Sequence, residues 1–181
     1  VVPQIWWSYV PFHLGSTFEG EQPSTINDFF DLEKFPGKRG VHTWGNGIVE
    51  MALYASGVAI ADIYDVLDTQ EGQDMVFAKL DTIKDSVVFW SAGAKPLDLV
   101  NSGEVSMSIA YNGRIGGAVL ADGADYVTVW DGQVLEEEWL VLMNGAPNRA
   151  AAIHFLIHAS STQAQADQAH WINYAPMRPS A

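Results

Sequence analysis

A chain of 181 residues, nearly half of them apolar, is long enough for one or two compact domains with a real core. Acidic residues outnumber basic ones 22 to 9, a formal charge of −13, which argues against a nucleic-acid or anionic-membrane surface, because phosphate binding needs clustered Lys and Arg. There is no cysteine, which excludes disulfides and thiolate chemistry without choosing a compartment. The acidic field suits a cationic or amine-bearing ligand. No apolar run approaches the roughly 20 residues needed to span a bilayer, and we expect no signal peptide among these residues. It starts at Val1, inside an apolar aromatic segment, so we expect a processed or truncated piece of something longer.

Residues 1–10 read as an extended segment, kept out of helix by Pro3 and Pro11. A polar loop follows to Pro23. Ser24 or Thr25 caps a short helix through Phe30, and Phe35 to Arg39 reads as a turn. Gly45-Asn46-Gly47 precedes a helix over Ile48 to Ser56, where Ile48, Met51, Ala52 and Ala55 recur at helical spacing and Gly57 is the stop. The spacing of Met75, Val76, Leu80 and Ile83 predicts a helix from Gln70 to Lys84 with Thr69 as its cap. Val87 to Trp90 is a short strand. Lys95-Pro96 opens a helix that Gly103 ends.

Val105 to Tyr111 is the next strand, with a tight Asn112-Gly113 turn into a helix over Arg114 to Ala121. Tyr126 to Trp130 alternates as a strand, and Trp139 to Met143 reads as a buried one. Helices over Asn148 to Ala159 and Thr162 to His170 complete the chain. Alternating strand and helix implies an α/β sheet with crossover connections.

Tyr111-Asn112-Gly113-Arg114 is the stretch richest in chemistry. Ligands in such folds sit beyond the carboxyl ends of the strands. The start of a helix receives a negative group, and the Arg fork suits a carboxylate. Elsewhere, His154 and His158 stand at i and i+4, a spacing that can hold zinc. No Glu lies between them and Phe155-Leu156-Ile157 look like core, so we expect no metal site and no cofactor.

Several segments together carry a resemblance. Pro23 to Asp31 and Lys34 to Arg39, then Trp90-Ser91-Ala92-Gly93-Ala94, Gly103-Glu104-Val105, Tyr111 to Arg114, Trp130-Asp131-Gly132-Gln133, Gly145 to Asn148 and Tyr174-Ala175-Pro176 follow one another in order. The chain resembles the spermidine/putrescine-type periplasmic substrate-binding proteins of ABC importers along nearly its whole length. The resemblance implies a periplasmic binding protein type II-like α/β fold, lacking an N-terminal half-lobe. Residues 1–11 would be a hinge crossing, 12–135 the second lobe, 136–170 a return strand and helices of the first lobe, and 171–181 a last crossing. It implies a periplasmic protein that closes on a small solute in an interlobe cleft and delivers it to permease subunits in the inner membrane, without inserting there itself and without doing chemistry.

The resemblance also implies site residues. Tyr111 stands where polyamine binders place a Trp platform; an aromatic face attracts ammonium groups, while a core aromatic at a strand end is the alternative. Glu138 aligns with the carboxylate that holds an amine, against the alternative of a solvated acidic run. Glu136 replaces an aromatic of the polyamine binders. Arg114 replaces the Asp that pairs a second ammonium in putrescine-binding relatives. With the sign reversed there and the acid kept at Glu138, a zwitterionic ω-amino acid such as 4-aminobutyrate fits better than a polyamine. Arg114 facing solvent or bridging to Asp131 is the competing assignment. Trp44 and Asn46 occupy the loop where polyamine binders supply acidic contacts, and Asn46 can donate to a carboxylate. Trp6 and Trp7 lie in the first crossing, where cleft lining by Trp7 and hinge packing are both open.

An enzyme is the main reading from another class. Glu136-Glu137-Glu138 are neighbours in one segment, whereas a glycosidase pair comes from separate elements facing the substrate. No Gly-x-Ser-x-Gly elbow, glycine-rich phosphate loop or Cys nucleophile is present. A sensory, chemoreceptor-linked protein of the same fold is the other alternative.

Overall fold

The computed structural model describes residues 1–181. In chain order the elements are β1 (Val2–Leu14), α1 (Ile26–Phe30), β2 (Arg39–His42), α2 (Ile48–Ala55), a 3-10 turn (Ile60–Asp62), α3 (Ile63–Leu67), α4 (Gln70–Asp81), a second 3-10 turn (Lys84–Ser86), β3 (Val87–Trp90), α5 (Lys95–Asn101), β4 (Met107–Tyr111), α6 (Asn112–Asp122), β5 (Tyr126–Thr128), β6 (Val134–Leu140), α7 (Arg149–Ala159), α8 (Thr162–Trp171) and β7 (Ala175–Pro176). The chain divides into two compact units, Tyr9–Val134 and Val1–Ser8 with Leu135–Ala181.

The larger unit is built on strands in the order β3-β2-β4-β1-β5. β2 runs parallel to both β3 and β4, while β1 is antiparallel to β4 and β5. Helices connect the parallel strands, the α/β arrangement expected from the alternating pattern. Phe12, Phe29, Met51, Leu53, Leu99 and Met107 are fully buried and form the centre of its core.

Arg39 also lies there with no exposed surface. Its guanidinium donates to four main-chain carbonyls: Phe35 at 2.6 Å, Phe29 at 2.7 Å, Gly37 at 2.9 Å and Asp31 at 3.3 Å. Burial lowers its pKa to about 10, so it stays cationic at neutral pH. The Lys34-to-Arg39 segment is thus a structural staple that winds the chain from 29 to 37 around one side chain.

Asp131 does comparable work at another junction. Its carboxylate accepts from the Ile26 amide at 2.9 Å, at the start of α1, and from the Tyr54 hydroxyl at 3.3 Å.

The smaller unit contains the first stretch of β1, with β7 antiparallel to it (Ile5 opposite Pro176, Trp6 opposite Ala175). β6 also pairs with β1. Gln165 of α8, 1% exposed, is a polar clamp: its amide donates to the Pro3 carbonyl at 2.9 Å and its oxygen accepts from the Arg178 amide at 2.9 Å. Trp139, Met143, Phe155, Ile157 and Trp171 of this unit are exposed.

Four expectations change. The buried strand expected over Trp139 to Met143 is not formed: β6 runs from Val134 to Leu140 with Glu136-Glu137-Glu138 within it, and Trp139 inside it and Val141 and Met143 beyond it are exposed. Strand pairing uses the backbone, so charged side chains do not exclude a segment whose residues face outward. There is no Asn-Gly turn after β4; α6 starts at Asn112, Gly113 is helical, and no positive φ occurs there. Phe155 and Ile157 are not core. Finally, β2 and α3 arise where no element was expected.

Candidate functional site

The parallel strands β3, β2 and β4 end at Trp90, His42 and Tyr111. The register sets His42 opposite Trp90 across β2 and β3, and Tyr9 of β1 opposite Tyr111 across β1 and β4. Four aromatic side chains therefore meet at the carboxyl edge of the sheet, the place where open α/β sheets bind ligands. Tyr9 and Tyr111 rings lie 5.0 Å apart, and the Tyr9 hydroxyl donates to the Tyr111 hydroxyl at 3.3 Å. Trp90 meets Tyr111 edge to face at 6.0 Å and His42 at 4.4 Å. His42 in turn meets Trp44 at 4.9 Å. Such edge-to-face pairs hold one another in fixed orientations.

Two glycines let the loops approach these rings. A Cβ on Gly93 would stand 3.0 Å from Tyr111 Cε2. One on Gly47 would stand 3.0 Å from Tyr9 Cδ2, and Gly47 also has φ +85°, which a side chain would strain. Gly47 is the N-cap of α2, and its amide is held by Glu50 Oε2 at 2.8 Å.

The loop between β2 and α2 carries Trp44 and Asn46, both exposed, Trp44 by 65%. The Trp44 amide donates to His42 Nδ1 at 2.9 Å. Burial holds the His42 pKa below its ordinary value, partly offset by a hydrogen bond to the Ser91 main chain. Arg114 sits exposed in the first turn of α6, one turn from Tyr111, and makes no ion pair. It does not bridge to Asp131, whose acceptors serve Ile26 and Tyr54. The helix start adds positive potential beside it.

Tyr111, Arg114, Trp44 and Asn46 thus come to one strand edge of the larger unit. Trp7 and Glu138 belong to the smaller unit: Trp7 is half-buried on β1 and Glu138 exposed on β6. Tyr9, His42 and Trp90 are not assigned to a site by the sequence, although Trp90 opens one of the segments that carry the resemblance. The available signal was positional, since His42 and Trp90 each directly precede a loop rich in small residues. A separate cavity of about 270 Å³ in the larger unit is lined by Glu50, Tyr54, Ile60, Trp130 and Asp131. His154 and His158 are both exposed on α7.

A family profile described as bacterial extracellular solute-binding protein matches residues 5–181. The chain belongs to this family. It is 39% identical over 171 residues to the gamma-aminobutyric acid-binding protein of Pseudomonas aeruginosa, covering 94% of this chain and 48% of that protein. Among solved structures it resembles the PBP MotA from A. tumefaciens B6 in complex with glucopine (TM-score 0.89, 32% identity, 98% of this chain and 55% of that one). It also resembles the Atu4243-GABA receptor (TM-score 0.85, 36% identity, 97% and 53%). The chain spans about half the length of these relatives. The spermidine/putrescine substrate-binding protein PotD of Streptococcus pneumoniae shares the fold at 12% identity, with a TM-score of 0.75 over 97% of this chain and 52% of that one. The polyamine type named from sequence is therefore a distant neighbour.

Proposed function

We propose that this chain is part of the substrate-binding component of an ABC importer that takes a zwitterionic ω-amino acid, 4-aminobutyrate in the preferred reading. One observation carries it: an exposed Arg114 without an ion pair, at a helix start beside an aromatic edge, offers a carboxylate receptor where a polyamine needs an acid. The P. aeruginosa relative named for gamma-aminobutyric acid and the receptor named for GABA support the same ligand class. Tyr111 is the proposed platform for the alkyl chain and Arg114 the proposed carboxylate partner. Asn46 and Trp44 add a donor and an apolar face from their loop. For the exposed carboxylate of Glu138 we propose the ammonium, and for Trp7 a wall of the ligand site.

In this reading residues 9–134 correspond to one lobe, residues 135–181 with the first strand stretch to part of another, and the protein works in the periplasm with permease subunits as partners. It binds and releases without catalysing a reaction. Calorimetry on the full-length form that its gene encodes tests the reading, with 4-aminobutyrate, glucopine and putrescine as probes. We expect 4-aminobutyrate to bind. Arg114→Ala and Glu138→Gln should each weaken it by roughly 10- to 100-fold, as loss of one charge-assisted bond implies. Tight putrescine binding without a response to 4-aminobutyrate would overturn the proposal.

A further inference from the structure

His42 makes three kinds of contact at the end of β2. The residue is 5% exposed. It packs edge to face on Trp90 of β3 at 4.4 Å and lies 6.4 Å from Tyr9 of β1. Its Nδ1 receives the Trp44 amide at 2.9 Å. A ring nitrogen that accepts a hydrogen bond carries no proton, so the proton of the neutral ring is on Nε2. The groups facing the ring are the Tyr9 phenol, the Trp90 indole, the Ser91 main chain and the Trp44 amide and indole. No acid or base adds to the influences on His42, which are burial and the Ser91 main chain. The Glu50 carboxylate is engaged with the Gly47 amide at the far end of the same loop.

We infer that His42 is a positioning residue whose unprotonated Nδ1 pins the Trp44 amide, and so the 43–47 loop, in the geometry that receives solute, with capture lost when that nitrogen takes a proton. The inference rests on the reading that Trp44 and Asn46 meet the solute. Imidazolium has only donors, so protonation sets an N–H against the Trp44 N–H. The hydrogen bond that holds the Trp44 amide is then lost, while the Thr43 amide stays on the Trp90 carbonyl at 2.9 Å and Glu50 still holds Gly47. Low exposure and the missing counter-acid both keep the neutral ring dominant at neutral pH.

The test compares the full-length form its gene encodes with its His42→Asn and His42→Phe variants. Asn Oδ1 keeps an acceptor near the Nδ1 position but does not ionise; Phe keeps a ring and removes the acceptor. Affinity for 4-aminobutyrate is measured from about pH 7.5 to about pH 4.5, and His42 titration is followed by NMR. In the unmodified protein, affinity should fall about tenfold per pH unit once the pH is below the observed His42 pKa, because the neutral fraction falls by that factor. His42→Asn should bind well with a flat profile across the same range, and His42→Phe weakly at every pH.

Hydrogen exchange at the Trp44 amide, without ligand, should accelerate as His42 titrates. Identical pH profiles for the unmodified and Asn proteins, or Trp44 exchange that ignores the His42 titration, would overturn the inference. Absence of 4-aminobutyrate binding at every pH would instead remove the ligand assignment, and the Trp44 exchange measurement would still decide the role of His42.

Discussion

At the scale of single residues, Arg39 and Gly93 separate stability from binding. The Arg39 fork satisfies four carbonyls inside the core. Arg39→Met fills much of the volume but strands those acceptors, and Arg39→Lys keeps the charge without the planar fork. Each should cost about 2–5 kcal/mol in urea unfolding, the range for buried polar groups left unpaired. Gly93→Ala should do the opposite. Its new methyl meets the flexible edge of Tyr111 at 3.0 Å. Unfolding should therefore change little, while 4-aminobutyrate affinity should drop several-fold, about 1 kcal/mol, as the ring shifts.

At the scale of elements, part of the architecture was legible because its signals are local. Thr69 caps α4 through the Gly72 amide at 3.0 Å, Pro96 sits in the first turn of α5, and Gly103 stands just past the end of α5 in the left-handed region. Each depends on neighbours in sequence. β2 was not legible: Arg39-Gly40-Val41-His42 shows no alternation, and its partners lie far along the chain. The same limit hid half of the aromatic edge. Tyr111 and Arg114 share one strand-to-helix junction and could be read together. His42 and Trp90 become neighbours only through the parallel pairing of β2 with β3.

Buried imidazoles on these strands also set the acid response. Burial lowers the pKa of His13 on β1, against raising contributions from the Leu14 and Pro23 main chain and from Asp125, and it lowers that of His42 on β2. The unfolded chain binds protons at both more readily than the folded one. Their contribution to stability is therefore full above about pH 6.5 and is lost as the pH falls below that value through the folded pKa. Urea midpoints should decline as the pH is lowered from about 7.5 to about 5, and should decline less in His13→Gln.

At the scale of the whole molecule, the smaller unit presents Trp139, Met143, Phe155, Ile157 and Trp171 to water. Expressed as these 181 residues alone, the chain should bind an apolar dye strongly despite its −13 charge. Phe155→Lys with Ile157→Lys should reduce that signal while leaving circular dichroism intact. Measured 4-aminobutyrate affinity for the same 181 residues should be at least about a hundredfold weaker than for the full-length form, if each proposed ion-pair partner contributes a typical charge-assisted bond that only the complete site can organise.

The indoles beside the strand edge differ sharply in their surroundings. Trp90 is 2% exposed against Tyr111 and His42, while Trp44, two residues beyond His42, is 65% exposed. An enclosed indole emits toward the blue and resists iodide quenching; one in water emits toward the red and is quenched readily. Subtracting the spectrum of Trp44→Phe from that of the unmodified protein isolates the loop's own light. The protein thus carries a built-in optical gauge of whether the 43–47 segment is docked or released, readable without any label.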